Sequence, residues 1–92
     1  MNNKSEYEVK VTEVRVKKLD TVMRAKAMAS VVLNDSICIN DIRVIEDKEK
    51  GTFIAMPSRK LDDGSFKDIA HPINKATREK IKIAILEEYN KN

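Results

Sequence analysis

The chain holds one cysteine, one histidine, no tryptophan, and only Tyr7, Phe53, Phe66 and Tyr89 as aromatic side chains. The lone Cys38 has no internal disulfide partner, so the fold is unstapled and a reducing compartment fits. Its simplest place is as a small core residue. So few rings weigh against a stacking platform for single strands, which takes several exposed aromatics. No apolar run approaches the ~20 residues of a membrane-spanning helix, and the opening Met1–Glu6 is too polar to read as a signal peptide. The expected location is cytoplasmic, with no membrane partner. There is no glycine-rich phosphate loop, no cluster of metal ligands, and no second histidine. His71 beside Asp68 lacks the nucleophile and oxyanion site that a catalytic dyad needs. The expectation is a non-enzyme with no cofactor, no metal and no small-molecule substrate.

What remains is one small domain. Ninety-two residues leave no room for a second, and a chain this short buries only a modest share of its surface. Pairing with a second copy adds buried area. The apolar content of 41% suffices for a core built from Val, Ile, Leu, Met and Ala, and 36% of residues are charged. The net charge of +3 is mild and names no partner by itself. Its distribution says more. Lys10, Arg15, Lys17, Lys18, Arg24 and Lys26 face only Glu13 and Asp20, whereas Glu46–Lys50 is mixed and reads as a solvated loop.

Residues 1–8 lack periodicity and read as a flexible tail, leaving residues 9–92 as the domain. From Thr12 the pattern alternates, with Thr12, Val14 and Val16 on one face and Glu13, Arg15 and Lys17 on the other, as in a half-buried strand. Val9 and Val11 fall out of that phase; a bulge or a late strand start each account for it. Arg24–Leu33 alternates again, with Ala25, Ala27, Ala29, Val31 and Leu33 in phase. A helix through Met23–Ala29 is the rival, and Val31-Val32 favours a strand. Asn34-Asp35-Ser36 signals a hairpin into a third strand over Ile37–Ile45. There Cys38, Ile42 and Val44 share one phase and Ile37, Ile39 and Ile45 the other. Gly51 opens a short strand that Pro57 ends. Ser58–Phe66 reads as a polar connection around the Asp63-Gly64 turn, with a short extended piece at Phe66–Ile69. Asn74 is a good N-cap for a closing helix whose buried stripe is Ile81, Ala84, Ile85 and Tyr89, widened by Ile83 and Leu86. Strands followed by one helix give an α+β fold: a small antiparallel, partly mixed sheet with a C-terminal helix packed on it.

Three stretches resemble the stage V sporulation protein G (SpoVG) family. They are Asp41-Ile42-Arg43-Val44-Ile45, Gly51-Thr52-Phe53-Ile54-Ala55-Met56-Pro57-Ser58-Arg59-Lys60 and Asp63-Gly64-Ser65-Phe66-Lys67-Asp68-Ile69-Ala70-His71-Pro72-Ile73-Asn74. Order and spacing match, and the similarity runs from about Val11 to Tyr89. Residues 1–8 precede the usual family start. The resemblance implies a bacterial or phage-borne cytoplasmic protein that forms a homodimer through strand-to-strand contact. It also implies sequence-preferring DNA binding, with RNA as a second partner, and effects on sporulation septation, cell division or gene expression.

Within that frame, Arg59 and Lys60, with Lys67 across the turn, form the leading anion-binding candidate. Two cations in a loop and one on the returning segment suit consecutive phosphates, and arginine also reads guanine bidentately. The alternative is that they pair with Asp62, Asp63 and Asp68 as solvated surface charges. Arg78, Lys80 and Lys82 open the helix, an order of charge that the helix dipole disfavours unless an anion faces them. Arg15, Lys17 and Arg24 make a secondary basic patch, which serves equally as protection of a strand edge. Asp41 and Arg43 share a strand face and read as structural. His71 reads as a local hydrogen-bonding group before the helix.

Overall fold

The computed structural model describes residues 8–91. Apart from Glu8, the tail expected over residues 1–8 lies outside the described residues. Strands β1 (Val11–Lys18), β2 (Ala25–Leu33), β3 (Ile37–Asp47) and β4 (Gly51–Ala55) form one sheet in the order β1-β2-β3-β4. A separate two-stranded ribbon pairs β5 (Ser58–Lys60) with β6 (Phe66–Asp68), and helix α1 (Lys75–Lys91) closes the chain. Every described pairing is antiparallel, so the mixed component expected from the sequence is absent among the described residues.

The β2–β3 hairpin is set by its turn chemistry. Asn34 and Asp35 both adopt positive φ, 52° and 53°. This is the left-handed pair that a type I′ turn requires and that Asn and Asp tolerate. The Ser36 N–H closes the turn on the Leu33 carbonyl at 2.9 Å. The Asn34 side chain then reaches sideways, its Oδ1 accepting from the Lys10 N–H at 2.6 Å and its amide donating to the Glu8 carbonyl at 3.4 Å. One residue thus fixes both a turn and the entry of β1.

The sheet has three register shifts, one of them at Ala25/Ala27, and the other two decide which side chains of β1 and β3 reach the core. In β1, Val11 pairs with Leu33 but Glu13 with Val32, so Thr12 is the extra residue. That places Val11, Val14 and Val16 together against the core, which settles the phase conflict in favour of a bulge. Thr12 does not share their face. It is exposed, its hydroxyl donating to the Val32 carbonyl and accepting from the Asp35 N–H. In β3, Ala29 pairs with Ile42 but Val31 with Ile39, and Asp41 takes a φ of 63°. The extra residue brings Ile39 to the face of Ile42 and Val44. It leaves Cys38 exposed on the other side, so the cysteine is not a core residue. Asp41 and Arg43 form no ion pair with each other.

The core lies between α1 and one sheet face. Ala27, Ala29, Val31, Ile42, Val44, Met56, Ile81 and Ile85 are buried there. Ile81 and Ile85 of the helix and the small Ala27 and Ala29 of β2 belong to this one close-packed cluster. Ile83 is exposed and falls outside the buried stripe. Asn74 caps the helix, its Oδ1 accepting from the Thr77 N–H at 2.8 Å. At the far end the Tyr89 hydroxyl donates to Glu46 at 2.6 Å, and the Lys18 ammonium sits 4.9 Å from the ring centre. No helix among the described residues is long and apolar enough to cross a membrane.

Candidate nucleic-acid interface

The segment after Pro57 is not an open polar connection. Gly64, with φ of 90°, turns the chain, a conformation in which glycine meets no Cβ penalty. Asp63 holds the turn, its Oδ1 accepting from the Ser65 hydroxyl at 2.6 Å and the Ser65 N–H at 2.9 Å. These two bonds favour the ionised form and lower the Asp63 pKa from its ordinary 3.8. The carboxylate is thereby committed to the turn and forms no ion pair among the described residues. Ser58, Arg59 and Lys60 return opposite Asp68, Lys67 and Phe66.

Residues directly opposite in an antiparallel pair project to the same side, with Cβ atoms about 5 Å apart. Arg59 and Lys67 therefore share one side of the ribbon, and Ser58, Lys60, Phe66 and Asp68 share the other. Like charges placed opposite repel. Both residues are exposed. The described ion pairs are Arg15–Glu13, Arg24–Asp47, Lys80–Glu8 and Lys91–Glu88, so neither ribbon cation is neutralised by a carboxylate among the described residues.

The helix cations separate by geometry. Residues four apart share a helix face and residues two apart do not, so Arg78 and Lys82 align while Lys80 points elsewhere. Arg78 and Lys82 line a cleft of about 210 Å³ with Phe53, Ile54 and Pro72. The Arg78 guanidinium donates to the Pro72 carbonyl at 3.2 Å. Lys80 is engaged instead with the start of the domain, donating to Glu8 at 2.8 Å and to the Val9 carbonyl at 2.9 Å. The hydrogen bond from Lys80 and its positive charge lower the Glu8 pKa. Lys80 thus ties the entry of β1 to the helix.

The secondary patch is partly spent. Arg15 pairs with Glu13 at 2.6 Å and Arg24 with Asp47 at 2.9 Å. Asp47 also accepts from the Glu49 and Lys50 N–H groups, which are the larger causes of its lowered pKa. Lys17 projects from the β1 edge with no ion pair among the described residues. The largest cleft, about 740 Å³, lies between residues 22–26 and 46–52. Its cations Arg24, Lys26 and Lys48 are matched in number by Glu46, Asp47 and Glu49, so its lining has no formal net charge.

A third cleft of about 440 Å³ joins the ribbon to the body. Its lining includes Arg43 of β3, Arg78 of α1, and Ser58, Phe66 and Asp68 of the ribbon. Sequence reasoning gave Arg43 a structural role and did not single out Phe66, which is 69% exposed. No signal in the sequence places Arg43 beside Arg78, because the two meet only through the fold. His71 accordingly stays local, its Nδ1 lying 3.0 Å from the Pro72 carbonyl. No three metal-ligating side chains come together among the described residues.

Comparison with known proteins identifies the family. The family model described as SpoVG matches residues 9–91. A protein of Clostridium acetobutylicum is 54% identical over 83 residues, covering 90% of this chain and 86% of that protein. One of Caldanaerobacter subterraneus subsp. tengcongensis is 55% identical over 83 residues, covering 90% of each. One of Geobacillus thermodenitrificans is 52% identical over 83 residues, covering 90% of this chain and 85% of its own. All three carry the name "Putative septation protein SpoVG". A family model spanning nearly the whole domain, with relatives above half identity along it, makes the chain a member of the SpoVG family.

Proposed function

We propose that this chain is a nucleic-acid-binding regulator that works as a homodimer in the cytoplasm, without catalysis, and acts on septation or gene expression. The observation that carries the reading is the pair Arg59 and Lys67, held opposite each other on a projecting ribbon with no carboxylate paired to either among the described residues. Holding two like charges together costs free energy, which a phosphate backbone laid across them offsets. Arg78 lines a cleft with Ser58, Phe66 and Asp68 on the other side of the ribbon, and Lys82 shares its helix face, so these two cations form a second, separate contact region. Duplex DNA is the first partner and RNA the second. Phosphate contacts release condensed counterions, so affinity falls steeply as salt rises. Titration of duplex DNA, single-stranded DNA and RNA over a range of salt tests the reading. Undetectable binding at low salt, or binding indifferent to salt, overturns it.

The dimer reading rests on the sheet edges. The β1 edge carries Glu13, Arg15, Lys17 and Lys18 and the Thr12 bulge, all features that discourage strand addition. The β4 edge, Gly51-Thr52-Phe53-Ile54-Ala55, carries no charge. Antiparallel pairing of two β4 edges gives the strand-to-strand contact that family membership leads one to expect. The same edge favours a second reading, in which a strand of another protein adds there and nucleic-acid binding is incidental. A complex that survives nuclease treatment and is lost on charging the β4 edge distinguishes it.

A further inference from the structure

We infer that the cleft between the ribbon and the body of the domain captures a single unpaired nucleotide, with its base on Phe66 and preferentially a guanine. The inference rests on the polyanion reading and names what its second contact region recognises. Arg43, Arg78 and Asp68 line this cleft of about 440 Å³ together. None of the three forms an ion pair among the described residues. Two arginines and an aspartate line one cleft with no ion pair among them, the Arg78 guanidinium donating one bond to the Pro72 carbonyl, and together they form a mixed set of donors and acceptors. A lone phosphate is poorly matched, since Asp68 repels it. A nucleotide is well matched: its phosphate takes the arginines, and its base edge offers N–H groups to Asp68. Guanine presents adjacent N–H donors on its Watson–Crick edge, which a carboxylate accepts and which pairing hides in a duplex.

Phe66 supplies the third element. Its ring lines the cleft and remains 69% exposed, an arrangement that water disfavours and a stacked base relieves. A single ring does not make a platform for a run of bases, but it holds one base. Stacking of this kind is tolerant of base identity, so the guanine preference falls to Asp68.

The test compares the full chain binding a perfect DNA duplex with the same duplex carrying one unpaired guanine, and then one unpaired thymine. The expected result is affinity for the guanine bulge about tenfold above the perfect duplex, with the thymine bulge between them. Phe66→Leu removes the gain from both bulges and leaves perfect-duplex affinity unchanged. Asp68→Asn narrows the gap between guanine and thymine while the stacking gain remains. Circular dichroism checks that each variant is folded. Equal affinity for bulged and perfect duplexes, or a gain indifferent to Phe66→Leu, overturns this inference and leaves the polyanion reading standing. Absence of salt-dependent binding to any of the three overturns the polyanion reading and this inference with it.

Discussion

Arg59 faces Lys67 directly across the β5–β6 ribbon, and neither is paired to a carboxylate among the described residues. If both touch phosphate, Arg59→Glu lowers duplex affinity and flattens the plot of log affinity against log salt by about one contact. Lys80→Gln serves as the contrast, because Lys80 is engaged with Glu8 and the Val9 carbonyl. The expected slope for Lys80→Gln is that of the parent chain. Fluorescence anisotropy at several salt concentrations measures both.

Asn34 combines a φ of 52° with bonds to the Lys10 N–H and the Glu8 carbonyl. Asn34→Ala strains the turn and removes the bonds, an expected loss of about 1–3 kcal/mol. Asn34→Gly keeps the backbone relaxed and loses only the side-chain bonds, about 1 kcal/mol. Urea unfolding of the three proteins gives the order directly.

Ile85 is fully buried in the same core cluster as Ala27 and Ala29. Ile85→Val removes one methylene from this cluster and is expected to cost about 1 kcal/mol. Ile83→Val, on the exposed side of the same helix, is expected to change stability by less than about 0.5 kcal/mol. Thermal melts of the pair locate the helix face that matters.

The Asp63 carboxyl is held below its ordinary value, first by the Ser65 hydroxyl and then by the Ser65 N–H. Its folded pKa lies below its unfolded one. Its contribution to stability is therefore complete above the unfolded value and is lost as pH falls through the folded value. Ser65→Ala removes the larger cause, so the Asp63 titration moves up toward 3.8. The acid end of the turn's stability profile shrinks accordingly. Carboxyl carbon chemical shifts followed against pH report the movement.

Thr52 lies exposed on the uncharged β4 edge. Thr52→Lys places a charge where two copies are expected to pair, and light scattering should show the dimer giving way to monomer with the fold retained. A dimer unchanged by this substitution locates the contact elsewhere.

Much of this fold is legible in the residues. Alternation marks β1 through β3, Gly51 and Pro57 bound β4, Asn34-Asp35 marks the hairpin, and Asn74 marks the start of the helix. Strand β5 leaves no such trace. Ser58, Arg59 and Lys60 are all polar, and they become a strand only because the Asp63-Gly64 turn brings Lys67 back beside Arg59. The displacement of Cys38 from the core has the same origin. Alternation assumes one residue per step, and the extra residue at Asp41 breaks that count in a way no local composition announces. The basic patch is legible as residue types but not as a surface. Helical spacing separates Lys80 from Arg78 and Lys82, yet the carboxylate that occupies Lys80 is 72 residues away in sequence. Arg43 and Arg78 likewise converge only across the edge of the sheet.

The unequal margins of the meander also bear on how far the protein can assemble. A contact that joins one β4 to another is satisfied by a twofold axis and leaves only the charged, bulged β1 margins facing outward. Growth by further strand addition then meets like charge and an irregular backbone at both ends. If two copies pair in this way, the four-stranded sheet doubles once and offers only its charged margins to further strands, an arrangement that opposes growth into a fibre.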